Sequence, residues 1–197
     1  DFRAGGGFCR LVTRDPATNA LTVSNAYTNI ATQFSEGIDY TVRYEVDMGP
    51  GVFRVNAQAT KYKSQALKLF VDDPLDEYNG TIEYPEWSAN VDLTYTIGDW
   101  RFRYGVDWID AMNSDKFLEI EPEDDIYDFH TGHYFEHYAS VRWLTDEWEV
   151  TGGVRNIFDK EPPTISAGYY YRQGNAPLYS GYDYVGREVF LRIAKQF

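Results

Sequence analysis

The chain has 197 residues, a formal net charge of −13 and an aromatic content of 17%. This acidity argues against nucleic-acid binding, because contacts to phosphates require clustered lysine and arginine. No run of about 18 apolar residues occurs, so the sequence predicts no transmembrane helix. The opening DFRAGGGFCR lacks the basic and then apolar order of a signal peptide. We therefore expect a portion of a longer protein.

Residues 1–26 are predicted to form a loop with its own small hairpin, in which FCRLVTRD pairs with ALTVSNAY. Cys9 is the single cysteine in this chain. It either has a partner cysteine elsewhere in a longer protein or serves as a small buried apolar residue.

From residue 27 onward the side chains alternate with a period of two. In GIDYTVRYEVDM, for example, Ile38, Tyr40 and Val42 alternate with Asp39 and Thr41. Such alternation is typical of β-strands, and no segment has a convincing helical period. The pattern predicts about seven long strands, at 27–48, 51–63, 84–97, 100–111, 133–145, 147–157 and 182–197.

The connections between these strands alternate between short and long. Tight hairpins are predicted at 48–52, 97–100 and 145–148, and long polar connections at 64–83, 112–132 and 159–181. This order predicts an antiparallel up-and-down meander. Aromatic residues gather near the tight turns, as in the interfacial girdle of a membrane barrel: Tyr44, Tyr95, Trp100, Trp143 and Trp148.

The lengths of the strands distinguish a membrane barrel from a soluble sandwich. Sandwich strands usually have about 5–6 residues, whereas a strand that crosses a membrane needs about 9–11. The predicted strands have a dozen or more, with charged residues opposite the apolar face on nearly every one. We therefore predict an all-β fold, a partial transmembrane β-barrel. Seven strands cannot close an ordinary bacterial barrel, because lipid tolerates no open edge and such barrels have even strand numbers.

Two C-terminal segments, VRNIFDKEPP (154–163) and YDYVGREVFLRIAKQF (182–197), resemble the end of a TonB-dependent outer-membrane receptor. The family's motifs match this sequence at Asn156, Ile157, Phe158, Asp159, Lys160, Gly186, Arg187 and Phe190. TNIATQFSEGIDYTVRY (28–44) is similar to another strand of the family, at Gly37, Ile38 and Asp39. The resemblance covers about residues 9–197.

The resemblance implies that residues 27–197 are the last seven of about 22 barrel strands, preceded by an extracellular loop at 1–26. It implies four partners for this portion: outer-membrane lipid, the remaining strands, an N-terminal plug and, through that plug, the TonB complex. Leu191, Ile193 and the terminal Phe197 resemble the assembly signal of outer-membrane barrels. Cys9 would pair with a cysteine upstream in the oxidising envelope.

The function implied by the resemblance is energised import of a scarce nutrient, such as a ferric siderophore or an oligosaccharide. The best candidate for ligand contact is the loop at 166–184. The aromatic rings of Tyr169, Tyr170 and Tyr171 could stack on a ligand, and Arg172 provides a charged guanidinium group. The alternative for this loop is simple packing on its neighbours. The alternatives for the whole chain are a porin-like passive channel and a soluble carbohydrate-binding β-sandwich.

The remaining groups of histidine, acidic and glycine residues do not indicate a metal site or an active site. His133 and His137 would lie about 13 Å apart on a strand, too far to share one zinc ion, and His130 has the opposite parity to His133. The acidic runs at 71–78 and 118–128 lack EF-hand spacing. No nucleophile elbow, phosphate-binding loop or Gly-x-Gly-x-x-Gly occurs. We therefore expect no enzyme activity, no cofactor and no metal site.

Overall fold

The computed structural model describes residues 12–24, 32–68, 74–120, 126–166 and 168–195. Cys9 and Phe197, both singled out above, lie outside the described residues. No helix in the described part of the chain is long and apolar enough to cross a membrane. The strands in chain order are β1 (Val12–Arg14), β2 (Leu21–Val23), β3 (Thr32–Met48), β4 (Gly51–Lys68), β5 (Asp76–Glu77), β6 (Trp87–Ile97), β7 (Trp100–Ile109), β8 (Met112–Asn113), β9 (His130–Thr131), β10 (Tyr134–Leu144), β11 (Trp148–Arg155), β12 (Arg172–Gln173), β13 (Ala176–Pro177) and β14 (Glu188–Lys195).

The long strands form one antiparallel sheet in the order β3-β4-β6-β7-β10-β11-β14, with the short β5 added to β4. The pairs β1-β2, β8-β9 and β12-β13 form separate two-stranded ribbons. This order confirms the predicted all-β, antiparallel up-and-down meander. Among the described residues β3 and β14 are the edges and do not pair with each other, so the sheet is open, consistent with a partial β-barrel.

One face of the sheet, here called the apolar face, is continuous across all seven long strands. The register places apolar side chains directly beside one another in rows, of which one runs Tyr44, Val55, Leu93, Tyr104, Ala139, Val154 and Val189. A register slip of one residue would move such a set to the opposite face. Val42, Leu191 and other large side chains on this face are exposed. An exposed apolar surface of this kind needs an apolar environment.

The opposite face, here called the polar face, has equally continuous rows. One runs Glu45, Arg54, Thr94, Arg103, Ser140, Gly153 and Phe190. Arg103 Nε donates to Asp92 Oδ1 at 2.7 Å, and the Tyr138 hydroxyl donates to the same oxygen at 3.1 Å. The Tyr138 ring lies over Gly105, where a Cβ atom would overlap the ring. The polar face is thus cross-linked by hydrogen bonds between strands.

A β-bulge interrupts this regularity near the start of β3 and the end of β4, away from the turn that joins the two strands. The register shifts between Glu36 and Gly37, so that their partners on β4 are Ser64 and Tyr62, and Lys63 is the extra residue. Because a bulge changes the phase of alternation, the period-two pattern of β4 ends at Lys63. This explains why the sequence predicted a strand at 51–63, whereas β4 continues to Lys68.

The tight turns all lie at one end of the sheet, which we call the turn end. They connect successive strands at 49–50, 98–99 and 145–147. The Trp100 and Trp143 rings lie 6.2 Å apart beside the second of these turns, and Lys195 Nζ lies 5.1 Å from the centroid of the Trp148 ring near the third. These aromatic contacts occur where the sequence predicts a girdle.

Two predicted strands begin later than expected. The strand predicted at 84–97 begins at Trp87, because residues 81–86 form a turn in which Glu83 has a positive φ of 78°. The strand predicted at 182–197 begins at Glu188, after Gly186 with a φ of 87°. Tyr182 therefore belongs to a loop, where its ring packs against Tyr134 at 5.0 Å.

Candidate ligand-binding surface at the loop end

The long connections fold over the end of the sheet opposite the tight turns, which we call the loop end. Their apolar side chains pack with Ile109 at the end of β7 and Tyr134 at the start of β10. We call this buried cluster the loop core, and its other members are Ile82, Met112, Phe129, Ile165 and Tyr182. Ile109 and Tyr134 are register partners that follow the alternation of the polar face. The loop core therefore sits over the polar face.

Ser114 joins three of these connections. Its hydroxyl oxygen accepts hydrogen bonds from the Ile82 backbone N–H and from the Tyr170 hydroxyl, both at 2.8 Å, and the side chain is fully buried. Burial raises the pKa of Tyr170, although the bond to Ser114 opposes this shift. Tyr170 thus remains a neutral hydrogen-bond donor and fixes its own loop to the other two.

Asn156, the first residue of the family motif, fixes the connection that leaves β11. It is fully buried and has a positive φ of 46°. Its Oδ1 accepts from the Lys160 backbone N–H at 2.6 Å, while its Nδ2 donates to the Lys160 carbonyl at 3.0 Å and to Asp183 Oδ2 at 2.8 Å. Every bond closes the turn at 156–160 or ties it to the segment that leads into β14.

The remaining motif residues lie on the other side of the same junction. Asp183 Oδ1 accepts from the Val185 backbone N–H at 2.9 Å, and Asp159 Oδ1 accepts from the Arg187 backbone N–H at 2.8 Å. Gly186 has the left-handed φ that favours glycine, and a Cβ atom there would lie 3.0 Å from Asp159 Oδ1. The geometry therefore gives the motif a structural role, which is to join β11 to β14 across a long loop.

Phe158 lies apart from these hydrogen bonds. Its side chain is 66% exposed and its ring meets His137 edge-on at 4.9 Å. His137 in turn shares a hydrogen bond of 2.7 Å with the Tyr104 hydroxyl. His137 and Phe135 alternate with the polar-face residues of β10 and therefore belong to the apolar face. The group of Phe158, His137 and Tyr104 thus lies on that face, near the loop end.

The four residues predicted to contact ligand differ in their surroundings. Tyr171 is 85% exposed, and Tyr169 is 57% exposed with its ring edge-on to Phe129 at 5.3 Å. Tyr170 points inward to Ser114. Arg172 Nη1 donates to Asn175 Oδ1 at 3.1 Å within the β12-β13 ribbon. The structure thus presents two tyrosines at the surface and uses the other two residues to hold the loop.

The histidines and the C-terminal residues have these positions. His130 lies between Asp115 and Asp128, at 3.0 and 3.3 Å, and His133 lies 3.1 Å from Asp110. Within the described ranges no group of three or more His, Cys, Asp or Glu side chains could hold a metal ion. Leu191 and Ile193 are exposed on the apolar face of β14.

A cavity that the sequence did not predict lies on the polar face beneath the loops. It has a volume of about 380 Å³ and includes Gln58, Asn90, Asp107 and Glu136 from four strands, with Tyr179 reaching it from the loop. The alternation assigns the four strand residues to one face, but their meeting with Tyr179 depends on how the loop folds. Its hydrogen-bonding groups suit water or a polar ligand.

Comparison with known proteins identifies the family. A family model described as "TonB dependent receptor-like, beta-barrel" matches residues 10–157, which is most of the chain. No curated protein and no solved structure matches the chain significantly. The matched range covers six of the seven long strands and ends at Ile157, the second residue of the motif. The motif residues beyond it are supported only by their sequence and geometry. The chain therefore belongs to the family of TonB-dependent receptor-like β-barrels.

Proposed function

We propose that this chain is the C-terminal barrel portion of an energised importer that takes a scarce nutrient, such as a ferric siderophore or an oligosaccharide, across the bacterial outer membrane. The family itself is one of outer-membrane receptors and transporters. The observation that carries the proposal is the division of one sheet into an apolar and a polar face along seven strands, with loops closing over the polar face.

The apolar face supports placement in lipid. A barrel in a membrane turns its apolar side chains outward and its polar side chains toward the lumen, with short turns at the periplasmic end and longer loops outside the cell. The sheet has one apolar and one polar face, with short turns at one end and longer loops at the other. Its turn end would therefore face the periplasm, and its loop end the external medium.

The two open edges support the proposal that further strands complete the barrel. An unpaired strand edge exposes backbone N–H and C=O groups, each costing several kcal/mol in lipid by the order-of-magnitude rule. β3 and β14 have such edges among the described residues. In the proposed protein they pair with the remaining strands, and an N-terminal plug within the barrel contacts the TonB complex.

Ligand contact is proposed at the loop end, with Tyr169, Tyr170, Tyr171 and Arg172 as contributors. The exposed rings of Tyr169 and Tyr171 can stack on a ligand, while Tyr170 and Arg172 hold the loop in position. We propose no catalytic role for any residue, because the family is one of receptors and transporters.

A porin-like passive channel is the second candidate, since it would have the same two faces. The soluble sandwich has less support, because its apolar face would need a second packed sheet. Within the described residues that face is not covered by another sheet.

Uptake by energised and de-energised cells tests the proposal. Cells that produce the full-length protein would receive radiolabelled ferric hydroxamate, ferric catecholate, cobalamin and neutral hexaoses, with and without a protonophore or a deletion of tonB. We expect accumulation of one ligand class that both treatments abolish, and recovery of the protein in outer membranes. Uptake that neither treatment changes would establish the passive channel, and a protein found in the soluble fraction would contradict both candidates.

A further inference from the structure

The loop end contains a second cavity, here called the aromatic pocket, which is distinct from the polar-face cavity. Its walls include four aromatic rings, those of Tyr78, Tyr84, Phe117 and Tyr170, together with Gln33 and Thr81. Its volume is about 350 Å³. Every described residue that lines it is uncharged, although the chain has a net charge of −13.

We propose that the aromatic pocket binds a single neutral sugar ring, so that the nutrient is an oligosaccharide with an uncharged hexose or pentose unit. This inference rests on the proposed function and specifies its ligand. It adds Tyr78, Tyr84, Phe117 and Gln33, on three segments of the chain, to a surface of which the sequence indicated only the loop at 166–184.

The arrangement of the rings supports a sugar. Tyr78 and Tyr84 lie 4.2 Å apart between centroids with planes inclined by 59°, so they form a corner instead of a closed stack. The Tyr84 and Phe117 side chains are partly exposed, which leaves ring surface open to a ligand. One face of a pyranose carries several C–H groups, and such a face packs well on an aromatic ring.

The polar atoms of the pocket also suit hydroxyl groups. Gln33 Nε2 donates to the Tyr78 hydroxyl at 3.0 Å, and the Gln33 Oε1 atom and the Tyr84 hydroxyl have no hydrogen-bond partner among the described residues. Thr81 Oγ1 donates to the Tyr78 carbonyl and so keeps acceptor capacity. Sugar hydroxyls both donate and accept, and can therefore bond to all three groups.

The size and charge of the pocket disfavour the other nutrients. A volume of about 350 Å³ is at the small end of ligand cavities, large enough for one ring but small for a whole ferric chelate. Burial raises the pKa values of Tyr84 and Tyr170, so both stay protonated and uncharged at neutral pH. A polyanionic ferric catecholate would meet no cation among the described residues of the pocket walls and would be repelled by an acidic chain around them.

Titration calorimetry of the full-length receptor in detergent tests this inference. The probes are malto-, cello-, xylo- and mannohexaose, with a neutral ferric tris-hydroxamate and a ferric tris-catecholate as competing classes. We expect one hexaose to bind, and Tyr84→Ala and Phe117→Ala each to weaken that binding about tenfold, as expected for loss of one stacking ring. The matched control is Tyr127→Ala, a loop tyrosine of similar exposure outside the pocket, which should bind as the unmodified protein does.

The variants also separate binding from folding. Heat-modifiable migration in gels would show that each variant has a folded barrel, and Phe117→Ala changes an exposed side chain and leaves the loop core intact. Binding of a ferric chelate without any hexaose would overturn the sugar inference but leave energised import standing. Hexaose binding with uptake that is insensitive to the protonophore would support the pocket and contradict energised import. Equal effects of Tyr84→Ala and Tyr127→Ala would show that the pocket is not the binding site.

Discussion

Large apolar side chains are exposed on one face of the sheet but buried in the loop core. In the sheet, Val42 and Leu191 are large, apolar and exposed, while most charged residues, such as Arg103 and Asp92, face the other side. In the loop core, Ile82, Phe129 and Tyr134 are almost fully buried. Loops in soluble proteins usually run over the surface of a core formed by strands and helices. Here the loops contain the buried core.

The proposed placement of the sheet in lipid and of the loops in water accounts for this difference. The face of a membrane strand is surrounded by hydrocarbon and needs no protein partner, whereas loops in water must cover their own apolar groups. This comparison predicts that charge should be costly on the exposed face of the sheet, and that loss of hydrogen bonds should be costly in the loops. The following changes test these expectations.

The largest effect is expected for Val42→Arg. Val42 is at the middle of β3 and is 57% exposed. On a water-exposed surface the change would be nearly neutral, but on a lipid-facing strand an arginine near the bilayer midplane costs about 2–4 kcal/mol. The matched control is Thr41→Arg, one residue away on the polar face, with an expected cost within about 0.5 kcal/mol. Urea unfolding of the full-length receptor in lipid vesicles measures both, and equal costs would refute the assignment of the faces.

Among the loop changes, Asn156→Ala should be the most damaging. It removes three hydrogen bonds and leaves the Asp183 carboxylate and the Lys160 backbone N–H without this partner. We expect a loss of about 2–3 kcal/mol in the free energy of unfolding, as for a buried bond to a charged group. Asn90→Ala is the control, because the Asn90 side chain has no hydrogen bond among the described residues. A similar loss in both variants, measured by urea unfolding, would argue against a special role for the motif.

Gly186→Ala tests the junction with β14 through the backbone alone. An alanine would keep a left-handed φ of 87° and place its Cβ 3.0 Å from Asp159 Oδ1. Such strain costs about 1–3 kcal/mol, and we expect the lower half of this range. Gly132→Ala is a suitable control, since its Cβ would meet nothing within 4 Å. The shift of the thermal unfolding midpoint would reveal the difference, and identical midpoints would show that the turn adapts freely.

The smallest effect concerns pH and Glu77 of β5. Burial acts to raise the pKa of this carboxyl, but hydrogen bonds from Ser64, Gln65 and Asn79 outweigh it, so the pKa lies below its ordinary value of 4.5. The folded state therefore binds the proton less tightly than the unfolded chain does. The stabilisation is complete above the ordinary pKa and is lost as pH falls through the lowered value.

Because Glu77 is exposed, we expect less than about 1 kcal/mol from this group. The protection factor of the Gln65 amide, which donates to Glu77 Oε1 at 2.7 Å, should be constant well above the ordinary pKa of 4.5 and fall as the pH drops below it. Glu77→Gln should remove that pH dependence, because the amide does not titrate. A fall of the same size in the variant would assign it to another group.

The alternation of residues determined the face of nearly every long strand, because side chains in a strand project to opposite sides with a period of two. The sequence also predicted the order of the meander and the positions of the tight turns. It could not predict the continuation of β4 past Lys63 or the late start of β14. The first depends on a bulge opposite Gly37, and the second on contacts of Tyr182 with a residue far away in sequence.

The contacts and exposure of side chains at the loop end depend on the tertiary structure. The sequence indicated Tyr169–Arg172 as a group, but whether each ring is exposed or bound to Ser114 depends on a residue more than 50 positions away. Ile109 and Tyr134 are apolar and aromatic residues at polar-face positions of their strands, and only the folded loops show that they support a buried core. A period of two is a local property of the chain, so it can be seen in the sequence. The meeting of distant loops, which forms the aromatic pocket, is a property of the whole fold.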